Sequence, residues 1–149
     1  MNYEFEVHSF RNTEISIEDC IITDIIHNQS DITLVFEDGI MVYKDAEGWK
    51  RSGKASLTLC DCTLDDVMCW VFRSWAVFHR AWGIGTMPSF QSIVKQATKN
   101  EWKLKVDTFV FINDRLLARF RMKKGGKDID NSVYEIDCNP TAIYCKYMI

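Results

Sequence analysis

An Asp-Gly pair, Asp38-Gly39, divides the run Ile32-Thr-Leu-Val-Phe-Glu-Asp-Gly-Ile-Met-Val-Tyr43. The pair tolerates the positive φ angles of a two-residue turn, and β-branched and aromatic residues flank it on both sides. Together these form the strongest short-range signal for a β-hairpin. Pairing around the turn sets Phe36 opposite Met41 and Leu34 opposite Tyr43, so one buried sheet face is expected.

Alternation and turn punctuation recur along the chain. Tyr3, Phe5 and Val7 alternate with Glu4, Glu6 and His8, as in a half-buried strand. The isoleucine-rich stretch 15–26 holds one or two strands, and Asn28-Gln-Ser-Asp31 breaks them. Residues 46–53 read as a loop and 55–60 as a strand.

Residues 63–82 support two readings. Thr63-Leu-Asp-Asp66 resembles a capping box, and Asp66, Arg73 and Arg80 fall seven apart, as on one helix face. Against this, Val67-Met-Cys-Trp-Val-Phe72 is a continuous β-branched and aromatic run. The strand is preferred because its neighbours are strands.

A helix is expected over 89–99. Ser89 after Pro88 can cap it, Ile93, Val94 and Ala97 make its apolar face, and Lys95 and Lys99 suit its C-terminal end.

The C-terminal third reads as a meander. Trp102, Leu104 and Val106 share one parity while Phe109 and Phe111 take the other, which predicts a β-bulge near Asp107. After a turn at Asn113-Asp114, Leu116, Ala118, Phe120 and Met122 share one face. Arg115, Arg119, Arg121 and Lys123 share the other. Gly125-Gly126 turns the chain into the row Tyr134, Ile136 and Cys138, and Asn139-Pro140 into a last strand ending near Tyr147. The expected fold is therefore mainly β (α+β): an antiparallel β-sandwich or partly open barrel with one short packed helix, in a single domain spanning 1–149.

Composition narrows the functional classes. Hydrophobic residues at 47% and charged residues at 26% fit a globular chain, with no membrane partner expected. A net charge of −3 works against a broad nucleic-acid surface, though not against a local patch. The N-terminus has neither the basic nor the apolar region of a signal peptide, and a cytoplasmic location is expected. The six cysteines, 20, 60, 62, 69, 138 and 145, then read as reduced thiols that pack as small apolar side chains.

No complete catalytic or cofactor motif is present. Cys60-Asp-Cys62, with Cys69, is the nearest to a metal site, since alternate strand residues share a face. Its spacing falls short of the Cys-x2–4-Cys knuckle, so no metal is assigned. His8, His27 and His79 are scattered, and Gly83-Ile-Gly85 lacks the third glycine and the βαβ frame of a nucleotide loop. It reads instead as a turn before the helix. Asp65-Asp66 and Asp128/Asp130 have no partner that would identify acid–base work. No catalytic residue and no cofactor are assigned.

Two features point to recognition. The basic row Arg119, Arg121 and Lys123, with Lys124 and Lys127 beyond it, could grip an acidic partner. The preferred account of the row is a face ion-paired across the sheet, Arg121 beside Glu135 and Arg119 beside Asp137. The dense aromatic stretch from Trp70 to Phe90 should be mostly core, yet Trp75 and Trp82, with Trp49, could contribute to an interface.

The leading expectation is a non-enzymatic protein-interaction module, such as an immunity or anti-defence type inhibitor. It would contact its protein partner through Arg119, Arg121, Lys123, Trp75 and Trp82. Two alternatives follow from the same features: a small-ligand or enzymatic β domain with a Cys/His site, and a structural subunit that self-associates through a β edge or the aromatic patch.

Overall fold

In the computed structural model, alternating apolar residues pack two antiparallel sheets face to face. The structure describes residues 1–8, 14–77, 80–129 and 132–149, with the side chains of 74–77 and 80–84 left aside. In chain order the strands begin with β1 (Asn2–Val7), β2 (Ile15–Ser16), β3 (Ile21–Ile22), β4 (Asp24–His27) and β5 (Ile32–Phe36). Next come β6 (Met41–Lys44), β7 (Gly48–Arg51), β8 (Ala55–Cys60), β9 (Met68–Val77) and β10 (Arg80–Thr86). The helix α1 (Phe90–Lys99) precedes β11 (Lys103–Ile112), β12 (Arg115–Lys124), β13 (Lys127–Asp128), β14 (Ser132–Cys138) and β15 (Ala142–Met148).

One sheet runs β1-β15-β8-β5-β4 and the larger one β10-β9-β14-β12-β11-β3, with β13 paired to β12. A small third sheet, β2-β6-β7, adjoins them. The sandwich does not close into a barrel. Leu57 and Leu59 of β8, Leu34 of β5, and Phe120 and Ile136 of the larger sheet all belong to one buried cluster. Burying each such side chain stabilises the fold by about 1.5–3 kcal/mol.

Local signals produce several elements as expected. The segment 68–77 is a strand, and the Thr63–Asp66 box caps only a single 3-10 turn, Leu64–Asp66. Ser89 caps α1, its Oγ accepting the Ser92 N–H at 3.2 Å. Phe90, Ile93, Val94 and Ala97 are the buried face of that helix. The bulge in β11 falls between Val106 and Thr108. Asn113 and Asp114 both take positive φ, 52° and 60°, and close the tight β11–β12 hairpin.

Asp38-Gly39 departs from expectation. It turns the chain, with Gly39 N–H donating to Phe36 O at 3.0 Å, but no hairpin forms. β5 pairs with β4 and β8, whereas β6 pairs with β2 and β7, so Phe36 lies opposite Ala55 rather than Met41. Ser52 explains the difference: its N–H donates to Ile40 O at 2.8 Å and its Oγ accepts the Ile40 N–H at 3.0 Å. These bonds satisfy the backbone at the corner, and β5 and β6 go to separate sheets.

The expected loop 46–53 likewise contains a strand, β7, paired with β6 through Tyr43–Trp49 and Lys44–Gly48. Gly83 and Gly85 lie inside β10 rather than in a turn, Gly85 opposite Phe72.

Among the described residues, no helix is long and apolar enough to cross a membrane.

Candidate functional site

The outer face of the larger sheet carries most of the residues that the sequence singles out. In β12 the even positions Leu116, Ala118, Phe120 and Met122 are buried, which turns Arg115, Arg119, Arg121 and Lys123 outward. In β9 Cys69 and Val71 are buried, which turns Met68, Trp70 and Phe72 outward. Period-two alternation alone accounts for both choices.

β14 joins the two sets. Arg119 lies opposite Glu135 and Glu135 opposite Trp70; one row over, Leu117, Asp137 and Met68 align in the same way. With neighbouring strands about 4.8 Å apart, the backbones at Arg119 and Trp70 stand about 10 Å from each other. Trp70 and Phe72 stack with ring centroids 6.4 Å apart. Met68 is 50% exposed and Phe72 44%, although both are large apolar side chains. Val110 and Ile112 continue the apolar surface on β11.

The basic row is ion-paired. Arg115 Nε donates to Asp137 Oδ1 at 3.1 Å, and Arg119 Nε donates to Glu135 Oε2 at 2.6 Å. Arg121 Nε donates to Asp107 Oδ2 at 2.9 Å, and Lys123 lies 3.0 Å from Asp128 Oδ1. The expected pairs, Arg121 with Glu135 and Arg119 with Asp137, are displaced by two residues along the strand. The cause lies beyond the Gly125-Gly126 turn, which sets Lys124 opposite Lys127. In that register Phe120 would face residue 131, but it faces Tyr134. Relative to the expected ion pairs the displacement is two residues, an even number, so Arg119, Arg121, Glu135 and Asp137 keep the expected face.

The backbone pairs Trp75 with Trp82 across β9 and β10, and Ser74 with Gly83 beside them. Their side chains lie outside the described set, as do Phe78, His79 and Asp130. β14 pairs with β9 only over Met68–Arg73, so among the described residues the 74–77 segment pairs with β10 alone. Trp49 is far along the chain, in β7, where its ring meets Tyr43 edge-on at 5.5 Å.

The cysteines are not arranged as the Cys-Asp-Cys spacing implied. β8 ends at Cys60, Asp61 takes a left-handed φ of 52°, and Cys62 therefore leaves the strand. Cys62 is buried and hydrogen-bonded to Cys138, a contact that lowers the pKa of Cys62 and raises that of Cys138. The 138–141 segment is held there by Thr141 N–H donating to Cys60 O at 3.1 Å and Thr141 Oγ1 to Asp61 Oδ2 at 2.5 Å. No spacing rule links residues 62 and 138; only the turn geometry brings them together. Among the described residues, no group of three or more His, Cys, Asp or Glu side chains could hold a metal ion.

A cleft of about 640 Å³ opens between the second half of α1 and β3, β4 and β11. Ile22, Val94, Ala97 and Leu104 supply its apolar lining, and Asp24, Glu37, Glu101 and Lys103 its charges. Its lining includes no cysteine or histidine.

No protein-family model matches the chain, and neither a curated protein nor a solved structure matches it.

Proposed function

We propose that this chain works by protein–protein contact through the outer face of its larger sheet, as a small non-enzymatic module of inhibitory type. One observation carries the reading: exposed Met68 and Phe72 flank half-buried Trp70 in one apolar strip, with Arg119 two strands away. Exposed large apolar side chains grouped together mark interaction surfaces, whereas scattered ones do not. Aromatic residues and arginine also dominate binding energy where they meet at an interface centre. The surrounding Arg–carboxylate pairs orient the guanidinium groups and supply a polar rim. In an immunity or anti-defence type inhibitor, such a face would cover a working surface of its target.

The test is capture of partners by the full chain from its own cells, followed by native mass spectrometry of the complex. Wild-type protein should retain a stoichiometric partner. Trp70→Ala, and separately Arg119→Ala with Arg121→Ala, should weaken that complex. Unchanged affinity in both would reject this face.

A further inference from the structure

The helix α1 ends with a carboxylate where neither the backbone nor the helix favours one. Glu101 N–H donates to Thr98 O at 3.3 Å and Trp102 N–H to Ala97 O at 2.8 Å. This pair of bonds holds a left-handed residue just past the helix, at a position that glycine ordinarily takes. Here that residue is Glu101, with a φ of 56°. The partial negative charge at a helix C-terminus disfavours a carboxylate there as well. Folding alone would fill the position otherwise.

Glu101 borders the cleft of about 640 Å³ between α1 and β3, β4 and β11. That volume lies within the range of small-molecule sites, about 300–1,000 Å³. Buried Ile22, Val94, Ala97 and Leu104 give the cleft an apolar floor, and half-buried Trp102 adjoins them. Its lining carries three carboxylates, Asp24, Glu37 and Glu101, and one ammonium group, Lys103. Glu37 is paired with Lys54 at 2.6 Å, and Lys103 Nζ donates to Thr23 O at 3.0 Å. Asp24 Oδ1 accepts the neighbouring Ile25 N–H at 2.8 Å. Neither Asp24 nor Glu101 has an ion-pair partner among the described residues.

From this juxtaposition we infer that the cleft binds a small organic cation with an apolar body, of the alkylammonium or alkylguanidinium class. The inference goes beyond the protein-contact reading and does not rest on it, since the cleft includes none of Met68, Trp70, Phe72 and Arg119. The apolar body covers the floor and releases water from it. The cationic head meets Asp24, Glu101 and the negative end of α1 at the rim. An anion is the poorer occupant, because it would face two unpaired carboxylates and Lys103 offers one charge against three. A neutral apolar molecule gains the floor alone.

The experiment adds n-pentylammonium to the full chain, isotope-labelled at its Ile, Leu and Val methyl groups, and follows their NMR shifts. Hexanoate, with the same pentyl chain on a carboxylate, is the comparison. The methyl groups of Ile22, Val94 and Leu104 should shift saturably with pentylammonium and not with hexanoate. Asp24→Asn with Glu101→Gln should lower the affinity by about fivefold or more. The asparagine keeps an acceptor for the Ile25 N–H, so the fold should be unchanged.

Glu101→Gly separates binding from folding. Glycine accepts the left-handed φ and removes the carboxylate from the helix end, so the urea midpoint should rise while pentylammonium binding weakens. Absence of saturable shifts, equal binding of hexanoate, or affinity unchanged in both variants would overturn the inference. N-acetyl-lysine methylamide carries the same chain and head group on a peptide backbone. Tighter binding of that compound than of pentylammonium would assign the cleft to a partner's side chain and overturn the small-molecule assignment.

Discussion

Gly39 lies so close to Ser52 that a methyl group placed on it would sit 2.2 Å from the Ser52 carbonyl oxygen. The Gly53 carbonyl oxygen would be 2.5 Å away. Gly39 also has a φ of +78°, which L side chains rarely adopt. The residue therefore meets two requirements, a left-handed turn and a close approach between backbones. The second exists only because the 51–53 segment folds back onto the corner between β5 and β6.

Gly39→Ala should destabilise the protein by about 2–4 kcal/mol, combining the left-handed penalty with overpacking against backbone. Gly126→Ala is the control. Its φ is +79° and its added methyl would meet nothing within 4 Å, so only about 1–2 kcal/mol should be lost. Urea unfolding of the two variants measures the difference; equal losses would show that the Ser52 contact contributes nothing.

Arg119→Ala should change folding stability by less than about 1 kcal/mol, because its ion pair with Glu135 is a surface one, with Arg119 53% exposed. On the proposed contact face, the same substitution together with Arg121→Ala should weaken partner binding by about tenfold or more. Chemical unfolding and partner titration of the same variant separate the two effects.

Alkali should destabilise the fold through its buried thiols. Burial pushes the Cys69 thiol up to about 11 and the Cys145 thiol up to about 12, from an ordinary 9.0. Below pH 9 both thiols hold their protons whether the chain is folded or not, and their contribution to stability is fully present. Above it the unfolded chain releases protons that the folded chain retains, and stability is lost as pH rises toward the folded values. Urea midpoints measured from about pH 8 to pH 11 should fall, and Cys145→Ala should flatten that decline relative to its own value at pH 8.

Cys60 should be the first thiol to react with a small alkylating reagent. It is half-buried, while Cys20, Cys62, Cys69, Cys138 and Cys145 are buried. Its reaction should nonetheless be slower than that of a free thiol. Desolvation first, and then the Asp31 and Asp61 carboxylates, raise its pKa and reduce its thiolate fraction. Peptide mapping after brief treatment of the native protein would identify the modified position; early modification of Cys69 or Cys145 would contradict it.

The tight hairpins show how much a turn signal can carry. Asn113-Asp114 and Gly125-Gly126 both place two consecutive residues at positive φ and join strands that pair. Asp38-Gly39 has the stronger sequence signature, yet only Gly39 takes a positive φ and its flanking strands part. The signature reports what the turn residues tolerate locally. It carries no information about the Ser52 groups that compete for the Ile40 backbone.

The same division runs through the candidate face. Alternation in the sequence is enough to turn Arg119 outward and Phe120 inward, because a strand's period of two is a local property. It is not enough at Met68–Val77, where a continuously apolar run suits strand and helix alike, whereas Ser89 marks the start of the helix at Phe90–Lys99. Tertiary structure alone decides that Arg119 pairs with Glu135, that Glu135 leads on to Trp70, and that Cys62 meets Cys138 rather than Cys60. Each of those choices joins segments far apart in the chain. Their register depends on how the residues after the Gly125-Gly126 turn are taken up and on the left-handed turn at Asp61, and single-residue patterns do not encode either one.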